Sequence, residues 1–394
     1  MEETFRKLIQ EKIHSTNKQL HLVYEFNPDV YDVTPLKDSY SIKFSYCPNL
    51  QNINQLEKVS KLSFCGCQLE EQKPHLNKLK NLLSLEFSYN MTLAAEDIQE
   101  LGNIPTLKVS SCSLSDSSSL GKENQKNLDL SKCLEITNVS NLSNLDRLNL
   151  SGCIGIQDIS SLAKIQYLDL SYCTQITDVS CLGKVHTLNL TGCANLSQIS
   201  GLGEGNYSIN LSYCRLITNV SNLSTVTKLN LAHCIRITDV SMLGNCFELN
   251  LTACEEISDV NNLGNVHTLI LTKCHKITDI SGLGKKNYYL DLRQCHNVYD
   301  VSSLTNVHTL NLSYSTMVET IYGMLTNVKS LNISGNNYIN DVSSLENVEV
   351  LDISYCKNIL YVGMLKKLRL LIMYGCHFIQ DLNELPPHVM IKTG

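Results

Sequence analysis

The amino-acid sequence predicts a parallel β-solenoid, in which each turn of the chain adds one short strand to a common sheet. Two observations carry this prediction. An L-x-L segment precedes a cysteine, and an apolar stretch follows it, in copy after copy. The cysteines recur every 20 or 21 residues, at Cys133, Cys153, Cys173, Cys193, Cys214, Cys234, Cys254, Cys274 and Cys295. A fixed period with one apolar skeleton is typical of repeat proteins whose neighbouring copies bury one another.

The period extends over nearly the whole chain. The cysteine position, named here the ladder position, is occupied by Asn27, Cys47, Cys67, Asn90, Cys112, the nine cysteines above, Ser315, Asn336, Cys356 and Cys376. These residues define 18 repeats, and we predict one array over residues 20–384. Because asparagine and serine replace cysteine, we expect a side chain that hydrogen-bonds loop backbone from inside the coil.

The L-x-L segment predicts a short strand. Leu168 and Leu170 alternate with Tyr167 and Asp169, which places the leucines inside and the polar residues outside. Neighbouring copies then pair as parallel strands and form a continuous sheet on the concave face of a curved, right-handed coil.

The second half of each repeat, such as Ile176 to Val185, is too short for a regular helix. We expect turns or short 3-10 segments there, on the convex face. Residues 94–101 are an exception and predict a helical segment.

Both ends are predicted to be capped. Residues 1–19 carry apolar side chains on one helical face, which predicts an N-terminal capping helix. Residues 385–394 place two prolines beside a last strand, and proline suits a sheet edge that must not recruit another strand.

The stretch L-x-L-x-x-C-x-x-I-T-D, as at Cys173 to Asp178, resembles the cysteine-containing class of leucine-rich repeat proteins. That class includes the substrate receptors of F-box ubiquitin-ligase adaptors. The sequence G-N-V-H-T-L, at Gly264 to Leu269, is also similar to short repeat arrays of large DNA viruses such as marseilleviruses. The resemblance covers roughly residues 20–390 and implies this fold and a binding role.

Composition argues against several functional classes. Charged residues make up 18% of the chain and the net charge is −6, so we expect neither nucleic acid nor a membrane surface as partner. No apolar run approaches the length of a membrane-spanning helix.

Cysteine usage favours a reducing compartment. Of the 17 cysteines, 14 occupy the ladder position, which predicts buried free thiols that act as small apolar side chains. The chain also carries 13 N-x-S/T sequons, several on predicted strands where glycans would block the sheet. We therefore expect a cytoplasmic protein, or one of the host cytoplasm if it is viral.

No residues with catalytic spacing are apparent, so we expect no enzyme, cofactor, metal or small-molecule substrate. Cys181 and Cys246 are predicted on turns and open to solvent, but neither has a base partner. His186, His267 and His308 share one repeat position but fall in non-adjacent repeats, and a metal needs converging ligands.

Two polar columns line the outward face of the predicted sheet. Asparagine or aspartate recurs four residues before the ladder position, and serine or threonine two residues before it. Stacked amide ladders would explain the first column, and ligand binding is the alternative. The columns break at Ile270 and Arg293, where sequence-specific recognition is expected.

The position directly before the ladder alternates between tyrosine and glycine in stretches, as in Tyr172 and Gly192. Either each ring packs over the next repeat's glycine, or the tyrosines form an interface. The predicted protein-binding residues of the concave face are Tyr172, Tyr213, His233, Lys273, Arg293 and Tyr314.

Together these features predict a non-catalytic scaffold that binds another protein on its concave face. Two alternatives stay open. The chain could be a substrate receptor of a ubiquitin ligase whose F-box is absent or supplied in trans, or a structural component of a virus particle.

Overall fold

A computed structural model describes residues 20–30, 32–67, 69, 79, 81–89, 99, 101–321 and 323–393. The chain forms two compact units, Met1–Cys193 and Ala194–Gly394. Each unit is a parallel β-solenoid, as the sequence predicts. Within the described ranges, no helix is both long and apolar enough to cross a membrane.

The sheet of the first unit pairs its strands in chain order, all parallel. Its strands are β1 His21–Glu25, β2 Ser41–Ser45, β3 Lys61–Cys65, β4 Ser84–Ser88, β5 Thr106–Ser110, β6 Asn127–Asp129, β7 Arg147–Asn149, β8 Tyr167–Asp169 and β9 Thr187–Asn189. The 3-10 helices described in this unit are Thr34–Leu36, Ile53–Gln55, Ser160–Leu162 and Ser180–Leu182.

The sheet of the second unit is built in the same way. Its strands are β10 Ser208–Asn210, β11 Lys228–Asn230, β12 Glu248–Asn250, β13 Thr268–Ile270, β14 Tyr289–Asp291, β15 Thr309–Asn311, β16 Ser330–Asn332, β17 Val350–Asp352, β18 Leu370–Ile372 and β19 Met390–Lys392. The 3-10 helices described here are Ser221–Leu223, Ser241–Leu243, Asn261–Leu263, Ser302–Asn306 and Leu382–Glu384. The predicted 3-10 segments are therefore confirmed in both units.

Apolar side chains from both halves of the repeat fill the core of each turn. Leu168 and Leu170 of β8 are 2% and 0% exposed, and Ile176 and Val185 of the following turn are fully buried. Burying one such side chain contributes roughly 1.5–3 kcal/mol. The alternation therefore places the leucines inside, as the period of two predicts.

The ladder side chains hydrogen-bond backbone of the preceding repeat. The thiol of Cys173 donates to the carbonyl oxygen of Leu150 at 3.1 Å, and the thiol of Cys254 donates to that of Leu231 at 3.1 Å. Ser315 makes the same contact through its hydroxyl, at 2.8 Å. The predicted role of this position is confirmed.

Burial keeps the ladder cysteines in the thiol form. It raises the pKa of Cys173 and of Cys254 to about 12. All 17 cysteines are free thiols in the structure.

The two cysteines predicted on exposed turns differ. Cys181 is exposed, but Cys246 is buried, and that part of the prediction is wrong. Cys246 occupies the core position that Val226 and Val266 fill in neighbouring repeats.

The aspartate of the T-D-V-S segment holds the turn that follows the strand. The Ser180 N–H donates to Asp178 Oδ1 at 2.8 Å, and the Ser241 N–H donates to Asp239 Oδ1 at 2.9 Å. These are Asx-turns, in which a short side chain bonds the backbone two residues on. Hydrogen bonds from Ser180 hold the pKa of Asp178 below its ordinary value.

A buried amide accommodates the extra residue of three 21-residue repeats. Asn287 is fully buried, and its Oδ1 accepts from the Gly284 N–H at 2.8 Å. Its Nδ2 donates to the carbonyl oxygens of Leu263 and Val266, at 3.0 and 2.6 Å. Gln125 and Asn206 bond Gly121 and Gly203 in the same way. A valine or other apolar residue takes this position in the 20-residue repeats of both units.

Two sequence predictions lie largely outside the described residues. These are the capping helix over residues 1–19 and the helical segment 94–101, of which only Gln99 and Leu101 are described, both as helix. At the other end, β19 pairs parallel with β18 as a last strand.

We predict that Asn287→Val lowers the free energy of unfolding by about 3 kcal/mol, because three buried backbone groups lose their partner. Urea denaturation followed by circular dichroism measures the loss. Asn265→Val, at an exposed position of the same unit, is the control and should change stability by about 0.5 kcal/mol or less. Equal losses in the two variants would show that the amide does not hold the longer turn.

Candidate functional site on the exposed sheet face

The residue directly before the ladder position adopts a left-handed backbone in every repeat. Its φ is 60° at Tyr172, 64° at Tyr213, 62° at His233, 63° at Lys273 and 57° at Tyr314. The N–H of this residue donates to a carbonyl oxygen of the next repeat, as from Tyr213 to Ala232 at 2.8 Å. Because the strained conformation recurs along both units, it is a property of the fold and not the mark of one site.

The alternation of tyrosine and glycine has a packing cause. A Cβ on Gly192 would lie 2.7 Å from Cδ1 and Cε1 of the Tyr172 ring, closer than real contacts allow. Gly66, beside Tyr46, shows the same arrangement, with 2.6 Å to the ring. Each ring thus covers the glycine of the next repeat. This packing was one of the two sequence interpretations, and it leaves the ring of Tyr172 58% exposed.

Five of the six predicted binding residues lie in the second unit, and only Tyr172 lies in the first. Tyr213 stacks on His233, with ring centroids 4.3 Å apart and planes 9° apart. Lys273 and Arg293 are neighbours, because the Lys273 N–H donates to the Arg293 carbonyl oxygen at 2.9 Å. Tyr314 is 42% exposed.

Where asparagine or aspartate occupies its column, the side chain holds the end of that strand. Asn250 Oδ1 accepts from the N–H of Thr252 at 2.9 Å and from its hydroxyl at 2.7 Å. The predicted contact between stacked side chains occurs at Asn189, whose Nδ2 donates to Asp169 Oδ2 at 2.9 Å. The contact that recurs is the hydrogen bond from the N–H two residues on to Oδ1 of the column residue. The side-chain Oδ1 atoms of the column are therefore already used by the fold.

An aromatic column that sequence reasoning missed lies seven residues before the ladder position in the second unit. It consists of Phe247, His267, Tyr288 and His308. Successive ring centroids are 4.4, 5.1 and 4.3 Å apart, and the planes are within 14° of parallel. The histidines alone fall in non-adjacent repeats, and Tyr288 occupies the repeat between His267 and His308. The signal that would have found the column is the ring at every repeat, whichever aromatic residue supplies it.

The aromatic column is exposed and anchored. Phe247 and Tyr288 are 47% and 46% exposed, and both histidines are half-buried. Nδ1 of His267 lies 3.2 Å from the Thr268 hydroxyl, and Nδ1 of His308 lies 3.1 Å from the Thr309 hydroxyl. The column is therefore a preformed apolar ridge beside the strands.

Charge on this face is mostly paired. Lys228 Nζ lies 2.6 Å from Glu248 Oε1. Arg293 lies 3.0 Å from Asp291 Oδ2, and the exposed fractions of their side chains are 48% and 3%. The carboxylate is thus covered while the guanidinium remains at the surface.

The first unit has its own ion pair on the sheet. Glu86 Oε1 lies 2.8 Å from Lys108 Nζ, and the Ser63 hydroxyl donates to Glu86 Oε2 at 2.8 Å. Partial burial raises the pKa of Glu86, but the hydrogen bonds from Lys108 and Ser63 outweigh it, and the pKa lies below its ordinary value.

In the part of the chain that the structure describes, histidine, cysteine, aspartate and glutamate form no group of three that could hold a metal ion. The second unit has a surface that carries the aromatic column, the two polar columns of the strands, and the neighbouring cations Lys273 and Arg293. We name it the sheet face: the residues seven, six, four, two and one before each ladder position.

Solved structures of leucine-rich repeat proteins share this fold. The chain is similar to a chain of the TLR13–ssRNA13 complex, at 17% identity and a TM-score of 0.51, over 91% of this chain and 60% of that one. It is similar to a chain of the mouse RP105/MD-1 complex, at 16% identity and a TM-score of 0.50, over 95% and 86%. It also matches the functional domain of InlJ from Listeria monocytogenes, described as including a cysteine ladder, at 16% identity and a TM-score of 0.46, over 89% and 72%.

These likenesses show the fold: the chain is a leucine-rich repeat solenoid. It spans about 60% of the length of the matched chain in the TLR13 complex. No protein-family model matches the chain, and no curated protein matches it.

We predict that Gly192→Ala destabilises the first unit by about 1–3 kcal/mol more than Gly152→Ala, because only the former overpacks a ring. The two glycines have φ of 71° and 73°, but the nearest atom to a Cβ on Gly152 is Cγ of the flexible Lys132, at 3.3 Å. Urea denaturation measures both losses.

Tyr172→Ala in the Gly192→Ala background should recover the excess loss, since the contact is then gone. Strain from the left-handed backbone, about 1 kcal/mol, should remain in both glycine variants. Indistinguishable losses at the two glycines would rule out the packing explanation of the alternation.

Proposed function

We propose that the chain is a non-catalytic scaffold that binds another protein through the sheet face of its second unit. The observation that carries this proposal is the uninterrupted aromatic column, which exposes Phe247 and Tyr288 on a rigid support. Aromatic side chains and arginine are enriched at the centres of protein interfaces. A preformed surface also loses little conformational entropy on binding.

The fold supports a binding role without naming the partner. One neighbouring structure is a complex with the protein MD-1 and another a complex with single-stranded RNA, so the fold accepts both kinds of ligand. Protein is the better match to this chain, since the sheet face is aromatic and largely charge-paired. A single-stranded nucleic acid would need a groove rich in unpaired cations.

The two alternatives from the sequence resemblance are retained as hypotheses. Co-purification with ligase subunits would support a ubiquitin-ligase receptor, and presence in purified particles would support a structural role in a virus. The contacts on the sheet face favour neither over a general scaffold.

We predict that alanine at Tyr288 together with alanine at Arg293 abolishes capture of a protein partner from native extract. Wild-type protein and a Tyr299→Ala variant should both retain it, since Tyr299 is 63% exposed but lies in a turn outside the sheet face. Quantitative mass spectrometry of the bound fractions measures the difference.

The melting temperatures of the wild-type protein and the Tyr299→Ala variant should agree within a few degrees, because exposed side chains contribute little to stability. The double variant should melt lower, since Arg293→Ala removes the partner of the covered Asp291 carboxylate, so circular dichroism checks that it is folded at the assay temperature. Tyr213→Ala and His233→Ala extend the test along the same face. Partners that survive all four substitutions would place the interface on the turns, against the proposal.

We also propose a cytoplasmic location. Two features support it: thiols whose pKa is raised by burial, as at Cys173, and strand sequons such as Asn250, whose side-chain oxygen is already bonded to the backbone. Thiol titration of the natively purified protein, denatured without reductant, should find nearly all 17 cysteines free. Recovery of most of them as disulfides would contradict this location.

A further inference from the structure

We propose that the segment bound by the sheet face is acidic: an extended stretch of a partner protein in which aspartate or glutamate accompanies apolar residues. This inference rests on the proposed function and adds the chemistry of the partner. It follows from the charges that the second unit displays there and from the way its rings are stacked.

Two neighbouring cations lie on the sheet face of the second unit. Lys273 and Arg293 are joined by the hydrogen bond between their backbones, and both side chains are exposed. Arg293 contacts Asp291 through one nitrogen, and Asp291 is almost fully covered. A guanidinium has five N–H donors, so most of its donors remain for a ligand. The surface at this point is therefore positive although a carboxylate lies beneath it.

Cations outnumber anions on this part of the sheet face. The sheet face from β11 to β14 carries the cations Lys228, Lys273 and Arg293 and the anions Glu248 and Asp291, a net charge of +1. Both anions are engaged, by Lys228 and Arg293. Among the residues that the structure describes, Lys273 forms no salt bridge. This positive surface belongs to a chain whose net charge is −6, so it is a local inversion of sign.

The rings of the aromatic column are stacked nearly parallel to one another. Parallel stacking within the aromatic column covers the ring faces and leaves their edges toward solvent. The edge of an aromatic ring carries the positive end of its quadrupole and favours carboxylate and carbonyl oxygens. The column therefore adds apolar contact without changing the sign of the surface.

These features favour an acidic protein segment over nucleic acid. Proteins that hold nucleic acid by its backbone neutralise several phosphates with unpaired lysine and arginine side chains. The three cations here, two of them already paired, are too few. A carboxylate can instead accept a bidentate contact from Arg293 and one from Lys273. Apolar residues farther along the same extended segment can then pack on the column at the other end of the strands.

The test uses the full chain and a displayed library of random 12-residue peptides. Peptides retained by wild-type protein but not by the Lys273→Glu, Arg293→Glu double variant should be enriched in aspartate and glutamate. Arg236→Glu is the control, because Arg236 is exposed in a turn outside the sheet face and should leave the selection unchanged.

A selected peptide is then synthesised in acidic form and in a form with glutamine and asparagine in place of its acids. Fluorescence anisotropy should show at least about tenfold weaker binding of the neutral form, and weaker binding of the acidic form as salt rises. A 20-nucleotide single-stranded RNA is titrated in parallel and should bind more weakly than the acidic peptide.

Face-dependent peptides without acidic enrichment, or neutral forms that bind equally well, would overturn the charge inference and leave the sheet face as a protein-binding surface. Tighter binding of the RNA would overturn both the inference and the proposed protein partner. Self-association of the wild-type chain that the double variant abolishes would assign the sheet face to a second copy, against an acidic segment of another protein.

Discussion

The hydrogen bond from a buried ladder side chain to a carbonyl oxygen of the preceding repeat, as at Cys173 and Ser315, is the constraint on which the rest of the repeat depends. The strand ends with a carbonyl that points into the coil, where water cannot reach it. A cysteine thiol and a serine hydroxyl both donate to it, so Cys254 and Ser315 are interchangeable in role. To bring that donor inside, the residue before it turns to positive φ, and its own side chain is placed on the sheet face. The same turn therefore supplies a hydrogen bond to the buried carbonyl and places the preceding side chain on the surface.

The period of the sequence was enough to predict the strands and the 3-10 turns, because both follow from the spacing of apolar residues. What it did not reveal depends on contacts between repeats. The buried position of Cys246 appears once it is aligned with Val226 and Val266. Asn287 looks like a surface residue until three backbone groups are seen around it. The aromatic column was hidden because its members differ in residue type.

The six binding residues predicted from the sequence illustrate how structural and functional roles overlap. Tyr172 and Tyr314 are explained in part by the glycine that each ring covers. Lys273 covers no glycine, and a lysine at this positive-φ position is not required by the fold. Arg293 covers the Asp291 carboxylate but keeps much of its guanidinium exposed. Lys273 and Arg293 are therefore the better candidates for recognition, and they lie at the opposite end of the strands from the aromatic column.

The buried amide in the longer repeats has a consequence for how such an array can change over generations. In most regular folds, inserting one residue shifts the apolar pattern and must be corrected nearby. Here a glycine and an amide absorb the insertion within a single turn, and the next strand resumes in register, as Leu269 pairs with Leu290. Repeats of 20 and 21 residues therefore follow one another in this chain without loss of strand register. An array with this property can lengthen its surface by recombination without redesigning its interior.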